Sequence, residues 1–404
     1  MKPLRRVRAA DVAELTSALR EALGGGDAVW PVPDAPGVET GAGRPPQPGE
    51  VDDDVALVVE TSGSTDAPKR VMLSADALIA SADATADRLD GHGRWVLALP
   101  GHYIAGVQVL VRSILGGGSP VLAADGPFSA EAFAAASARL GADAPRYTSL
   151  VPVQLARIVD RADRDAFVAA ALRGFDAVLV GGQALAPELA ARAEELGARI
   201  VRTYGSSETA GGCVYDGRPL DGVGVRIVDG LVELSGPMLA EGYLGDPERT
   251  AVTFPTDRRG TRWYRTGDLG ELAADGRLRI SGRADDVIIS GGVKVVLGEV
   301  ERAVRAIPGF AGAVVVAVDD AEWGQRPAVT VADAAASAGL VELAAATDAA
   351  GLVPAARPVW LLRLDTLPQL ASGKPDRRRL ASLLAESAGT ASTPGTEDSA
   401  RRAN

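Results

Sequence analysis

Short apolar runs rich in Val, Leu and Ile recur along the chain, and alanine-rich stretches with apolar positions every three to four residues separate them. The runs at 54–60 (DVALVVE), 94–100 (RWVLALP), 119–125 (SPVLAAD), 146–152 (RYTSLVP), 176–182 (DAVLVGG) and 199–205 (RIVRTYG) predict strands. Between them, 74–90 and 186–197 predict helices, the first with Ser74 as its N-cap. Such alternation predicts an α/β fold with largely parallel sheet, whose ligands gather beyond the carboxyl ends of the strands. From about 222 to 281 the pattern becomes short strands and turns, which predicts a small β subdomain. After GRADD the alternation restarts with a helix in EVERAVRAIPG and a strand in AGAVVVAV, a small α+β unit reaching about 385. Residues 24–54 are rich in Gly and Pro and predict a connector, leaving the first two dozen residues as a short helical lead-in. The expected domains are therefore 1–284 and 285–385, followed by a disordered tail, 386–404, that lacks apolar content.

Composition narrows the class. With 404 residues, 47% of them hydrophobic, the chain can bury a large core spread over two or three domains. A formal net charge of −11 argues against a general nucleic-acid or anionic-membrane surface, so an anionic ligand would need positive groups placed locally. No apolar run approaches the roughly 18 residues of a membrane span. The N-terminus turns acidic before any signal-like run and Cys213 is the single cysteine, which predicts a cytoplasmic protein. A homo-oligomer is compatible with the sequence. Arginine is abundant and only four lysines occur, Lys2, Lys69, Lys294 and Lys374, so an internal lysine is a candidate for work that needs a compact ammonium.

One loop draws on that scarcity. In ETSGSTDAPKR, 60–70, Thr61, Ser62, Ser64 and Thr65 supply hydroxyls, Gly63 permits a tight turn and Lys69 adds charge, the ingredients of an anion nest. The Gly-x-x-x-x-Gly-Lys-Ser/Thr spacing of a P-loop is absent, which disfavours a kinase-like enzyme.

TSGSTDAPKR, YGSSETAGG, YRTGDLG, GRADDVIISGGVKVVLGEVE and LPQLASGK follow one another between about 54 and 376. This series resembles the adenylate-forming superfamily of acyl- and aryl-CoA ligases, peptide-synthetase adenylation domains and luciferases. The resemblance implies a large N-terminal domain of mixed, largely parallel sheets with a small β subdomain, and a small mobile α+β C-terminal domain. It also implies ATP and Mg²⁺ as requirements, coenzyme A as co-substrate, and a carboxylate that is converted to an acyl-adenylate and then to a thioester. Attack of a carboxylate on an α-phosphate must overcome mutual repulsion, so cations and aligned donors should converge there. By resemblance, Lys374 is the catalytic lysine, Thr209 approaches the α-phosphate and Glu208 helps hold Mg²⁺. Asp268 and Arg283 correspond to residues at the ribose hydroxyls, while Gly181, Gly182 and Gln183, with Tyr204 and Gly205, match the adenine site. Asp285 falls at the hinge about which the C-terminal domain turns between half-reactions, and Lys294 lies on the CoA side. The loop departs from the pattern at Asp66 and Arg70, where glycine is usual. Asp66 should repel the β- and γ-phosphates, with Arg70 offsetting it.

ALPGHYIAGVQVLVRSILGGGSPVL and YGSSETAGGCVYDGRPLDGV are similar, more narrowly, to the actinobacterial o-succinylbenzoate–CoA ligases of menaquinone biosynthesis. That substrate keeps a second carboxylate, which needs a local donor. His102 is expected on the substrate side of the reacting centre, with Gln108, Arg112 and Ser206 as neighbours and the small residues around Gly211 leaving room for a flat ring. Another aryl- or acyl-CoA ligase, or a nucleotide-binding member impaired by Asp66, remains an alternative. A peptide-synthetase module is disfavoured, since no carrier domain follows ASGK.

Overall fold

The computed structural model describes residues 1–33, 49–61, 68–123, 126–332, 337–370 and 374–391. The strand Val55–Thr61 is apolar at five successive buried positions, as a strand covered on both faces must be. It pairs in parallel with Ala28–Val32 and antiparallel with Lys69–Ser74, inside a six-stranded mixed sheet. Two of its partners correct the sequence reading. The supposed helical lead-in begins with a strand, Lys2–Arg8, before the expected helix, Val12–Leu23. The supposed connector contains the strand Ala28–Val32, which is parallel to Lys2–Arg8. Five residues including Pro31 are a weak strand signal amid so much Gly and Pro, yet Val29 and Trp30 are almost wholly buried and hold the segment in place.

The second sheet has seven strands. Arg94–Leu97, Arg146–Leu150, Ala177–Val180 and Ile200–Ser206 run parallel, and Gly211–Tyr215 returns antiparallel to the last of them. The segments 181–183 and 206–209 thus emerge beyond the carboxyl ends of neighbouring strands, where ligands of such sheets bind. The expected helix after Lys69–Ser74 is present as Ala75–Arg88, and Ser74 Oγ accepts from the Ala77 N–H at 3.2 Å. The β subdomain is an antiparallel four-stranded sheet of Gly224–Val228, Leu231–Ser235, Tyr264–Leu272 and Leu278–Arg283. Midway through it the chain departs: Gly242–Tyr243 joins the edge of the first sheet, beside Lys69–Ser74.

The C-terminal unit has its own sheet and its own core around Val300, Phe310 and Leu343. Its last helix, Arg377–Ala391, extends beyond residue 385 into the segment expected to be disordered. Its first helix, Leu297–Arg305, leans on the strand Leu278–Arg283. There Arg302 donates to the carbonyl oxygens of Ile280 (2.8 Å) and Ser281 (3.3 Å). Gly298 approaches Gly282 so closely that a Cβ on Gly298 would lie 2.9 Å from the Gly282 Cα and 2.7 Å from the Ser281 oxygen. Among the described residues, no helix is long and apolar enough to cross a membrane.

Candidate active site

The strand Ile200–Ser206 ends in one short turn, Ser207–Thr209, that carries the acid expected at a metal. The turn is locked from within: the Ser206 N–H donates to Thr209 Oγ1 at 2.9 Å, and Thr209 Oγ1 donates to the Gly211 oxygen at 2.7 Å. Thr209 is fully buried, so this geometry gives its hydroxyl a role in holding the loop. Ala210 closes the turn in the left-handed region, φ 48° and ψ 34°, which costs about 1–2 kcal/mol for a residue with a Cβ. Tertiary bonds hold it there. Its carbonyl accepts from Gln108 Nε2 at 2.8 Å and from Ser81 Oγ at 3.0 Å.

Glu208 is 7% exposed. Its Oε1 accepts from the Tyr243 hydroxyl at 2.9 Å, and no described residue hydrogen-bonds the other oxygen. Burial, then the neighbouring Glu208 charge, pushes the Tyr243 phenol above its usual range, so it donates at neutral pH. No group of three or more acidic, His or Cys side chains able to hold a metal occurs among the described residues. A single open carboxylate oxygen suits Mg²⁺, which takes one or two carboxylates and completes its shell with phosphate oxygens and water.

Beside this turn lies a small cleft lined by Tyr204, Ser206, Tyr264, Asp268 and Arg283 among others. The Tyr204 hydroxyl donates to Asp268 Oδ2 at 2.6 Å, and Arg283 Nη1 donates to Oδ1 at 3.2 Å. A carboxylate has about four acceptor positions, so Asp268 keeps capacity for a diol. Burial holds its carboxyl above the ordinary carboxylate range, against the opposing pull of Tyr204 and Arg283. Arg283 also grips Asp285 through both carboxylate oxygens, at 3.0 and 3.3 Å. Although burial works the other way, this grip, with help from Lys69, keeps the Asp285 carboxyl below its usual range.

Thr61 and Lys69 face each other at the mouth of a hairpin. Ser62, Gly63, Ser64, Thr65 and Asp66 lie outside the described residues. Lys69 Nζ stands 5.7 Å from the centre of the Tyr243 ring. Arg70, expected to offset Asp66, instead lies over Trp30 at 4.9 Å with its Nε 3.5 Å from Glu60 Oε2, so its charge has a partner already. Gly181 and Gly182 follow the strand Ala177–Val180, ahead of Gln183. A Cβ on Gly181 would sit 2.3 Å from Thr203 Oγ1, and Gly182 has φ +78°, so this loop can lie against the strand carrying Tyr204 and Gly205 only as glycine.

His102, half-buried, packs against Tyr103 with ring centres 4.1 Å apart and planes tilted by 48°, just before the helix Ile104–Leu115. Gln108 and Arg112, one turn apart, are both buried, at 1% and 4% exposure. Gln108 lies against Gly211, whose φ is +104°. Arg112 donates to Thr85 Oγ1 at 3.1 Å and Tyr215 Oη at 3.4 Å, and lies 5.1 Å from the centre of the Trp95 ring. No described carboxylate pairs with it, an unusual state for a buried guanidinium. Lys374 and Lys294 are exposed on the C-terminal unit, the first in a turn where the Leu370 N–H donates to its carbonyl at 2.8 Å, the second on the strand Val293–Val296. Sequence reasoning passed over Tyr243 and Tyr264. The first stands in EGYLGDPE and the second opens YRTGDLG, and only the fold brings both phenols to the Glu208 turn.

The chain matches the AMP-binding enzyme family over residues 6–244. It is 42% identical over 375 residues to a protein of Mycobacterium tuberculosis named "Probable 2-succinylbenzoate--CoA ligase", covering 91% of this chain and 94% of that protein. Among solved structures it resembles Bacillus subtilis o-succinylbenzoate CoA synthetase in complex with its acyl-adenylate intermediate, with a TM-score of 0.69, 27% identity, and coverage of 81% of this chain and 69% of the other. The same enzyme in complex with ATP and magnesium gives a TM-score of 0.68 at 26% identity, with coverage of 81% and 70%.

Proposed function

Because the chain belongs to the AMP-binding enzyme family, we propose that it is an ATP- and Mg²⁺-dependent ligase that converts 2-succinylbenzoate to 2-succinylbenzoyl-CoA through an acyl-adenylate, in menaquinone biosynthesis. The observation that carries this reading is the cleft, where Tyr204, Asp268 and Arg283 form one hydrogen-bonded group beside the open oxygen of Glu208.

The chemistry divides among the residues accordingly. Asp268 accepts from the ribose hydroxyls while Tyr204 and Arg283 hold its carboxylate. The glycines at 181 and 182 leave space for the base. Glu208 holds Mg²⁺, which neutralises phosphate charge, and Lys69 with Thr61 meets the outer phosphates. One substrate carboxylate attacks the α-phosphorus as the bond to pyrophosphate breaks. Lys374, delivered by the C-terminal unit, stabilises the charge on both reacting groups. The ring of the acid lies along the helix Ile104–Leu115, beside Ser206 and Gly211, with Gln108 and Arg112 deeper on the same face. After the C-terminal unit turns about Asp285 and presents its Lys294 side, the CoA sulfur attacks the acyl carbon and AMP leaves. Dependence on ATP and CoA supports a cytoplasmic reaction.

The test is mass-spectrometric detection of 2-succinylbenzoyl-CoA from purified protein, ATP, Mg²⁺, CoA and the diacid, with benzoate, a fatty acid and an amino acid as rivals. Selective thioester from the diacid supports the reading. Preference for another acid transfers it to a different acid–CoA ligase, and ATP binding with no thioester from any acid overturns it.

A further inference from the structure

The segment 240–244 leaves the β subdomain and crosses to the first sheet, and the chain rejoins the subdomain at Tyr264. The backbone of the segment is tied at both ends of the crossing. The Ala240 N–H donates to the Glu208 carbonyl at 2.9 Å, while the Glu241 and Leu244 N–H groups donate to the carbonyls of Met72 (2.9 Å) and Arg70 (2.8 Å) on the strand that leaves the hydroxyl-rich loop. Arg262 clamps the same segment from the subdomain side, donating to the oxygens of Ala240 (2.7 Å) and Glu241 (2.9 Å). The segment therefore straps the phosphate-loop hairpin to the turn that carries Glu208.

Tyr243 lies within it and is 4% exposed. Its hydroxyl meets Glu208 Oε1, its ring faces the Lys69 ammonium, and Phe254 packs beside it at 5.9 Å between ring centres. A carboxylate with one oxygen fixed by a buried donor has its rotation set, so the second oxygen points one way without loss of further freedom when a cation arrives. The Lys69 ammonium, 5.7 Å from the ring centre, lies within the roughly 6 Å over which an aromatic face attracts a cation. One side chain thus touches both charged groups expected at the outer phosphates.

We infer that Tyr243 is a positioning residue for Mg²⁺·ATP: its hydroxyl orients Glu208 for the cation and its ring seats Lys69 for the phosphates. This rests on the ligase reading above. It assigns to Tyr243 a contribution to the first half-reaction alone, because thioester formation from a finished adenylate needs neither the outer phosphates nor their cation.

The experiment compares Tyr243→Phe with the unaltered full chain. Mn²⁺ serves as a paramagnetic probe of the cation site, and its binding in the presence of ATP is followed by electron paramagnetic resonance. Removing a group that orients a metal ligand weakens metal affinity about 10–100-fold. We expect a loss at the lower end of that range, a matching rise in the Mg²⁺ needed for adenylate formation, and unchanged conversion of preformed 2-succinylbenzoyl-adenylate to thioester. Thr250→Val separates positioning from packing, since Thr250 Oγ1 accepts from the Tyr243 backbone N–H at 2.9 Å and does not touch the phenol. It should lower the melting temperature and leave Mn²⁺ affinity intact. Wild-type Mn²⁺ affinity in Tyr243→Phe, equal loss in Thr250→Val, or equal loss of both half-reactions would overturn the inference. Failure of the unaltered protein to form adenylate at all would instead sink the ligase reading.

Discussion

The Tyr204 hydroxyl donates a 2.6 Å hydrogen bond to Asp268 Oδ2, tying the end of a parallel strand in one sheet to an antiparallel strand in another. The bond favours the ionised carboxylate in a place where burial disfavours it. Tyr204→Phe should therefore raise the Asp268 pKa further, and the acid limb of the pH profile of kcat/KM for ATP should move to higher pH. An unmoved limb would mean that Asp268 does not act as the charged acceptor. The stability sign is opposite to the usual carboxylate case. Because the folded-state pKa is raised, the contribution of Asp268 is fully present below its unfolded pKa and is lost as pH rises through the folded value. Asp268→Asn should remove that loss, so thermal melts from about pH 4 to about pH 7 should show a less negative slope than in the parent.

Lys374→Ala should reduce adenylate formation by about 10²–10³-fold, the effect of removing one donor from developing charge. Conversion of preformed adenylate to thioester should continue at the parent rate, because the proposed division assigns that step to the other orientation of the C-terminal unit. Rapid-quench assays of each half-reaction distinguish the two, and equal loss in both contradicts the division.

Arg112 presents a cleaner opposition between stability and selectivity. A buried guanidinium with hydroxyls and an indole for company costs desolvation that no described carboxylate offsets. Arg112→Met should leave the melting temperature unchanged or raised. If the guanidinium serves the second carboxylate of the substrate, kcat/KM for 2-succinylbenzoate should fall about 10–100-fold, as when a charged hydrogen bond is lost. Competing monocarboxylates should be unaffected. A uniform fall for every acid would assign Arg112 to the scaffold.

Asp285→Ala frees Arg283 from its bidentate partner, the contact that fixes the segment entering the C-terminal unit. CoA-dependent consumption of preformed adenylate should slow several-fold while adenylate formation holds. The reverse pattern, read in the same two assays, would remove Asp285 from the hinge.

Asp66→Gly takes a negative charge out of the hydroxyl-rich loop. ATP use should improve or stay as it was, and a severe rise in KM for ATP would show that the aspartate has a positive role.

The sequence is most informative where pattern and chemistry coincide. Val55–Val59 and Ala177–Val180 are uninterrupted apolar runs, the first leading to the hydroxyl-rich loop and the second to Gly181 and Gly182, and the order of those loops points to the family before the fold does. Lys2–Arg8 and Ala28–Val32 are hidden for opposite reasons: the first is mostly charged, the second contains a proline and is surrounded by glycines. Both depend on pairing with strands elsewhere in the sheet. The same limit applies to side chains. Arg112 reads equally well as a solvent-facing helix residue, and only its neighbours on the helix Ala75–Arg88 and the strand Gly211–Tyr215 decide that it points inward. Thr209 sits in the expected motif, but its hydroxyl is committed to Ser206 and Gly211 by a turn that spacing alone does not specify.

The contact of Gly282 with Gly298 has bare backbone on both sides, with the Arg302 guanidinium reaching only carbonyl oxygens next to it. Beside this contact the Val296 side chain, 2.9 Å from where a Cβ on Gly282 would lie, is what must withdraw before one body slides past the other. The contact's own partners are peptide groups, and the strand offers another every 3.3 Å or so. The seam behaves as a bearing surface, and a methyl group at position 298 would act as a chock: Gly298→Ala should hold the unit out of this orientation and leave each body folded.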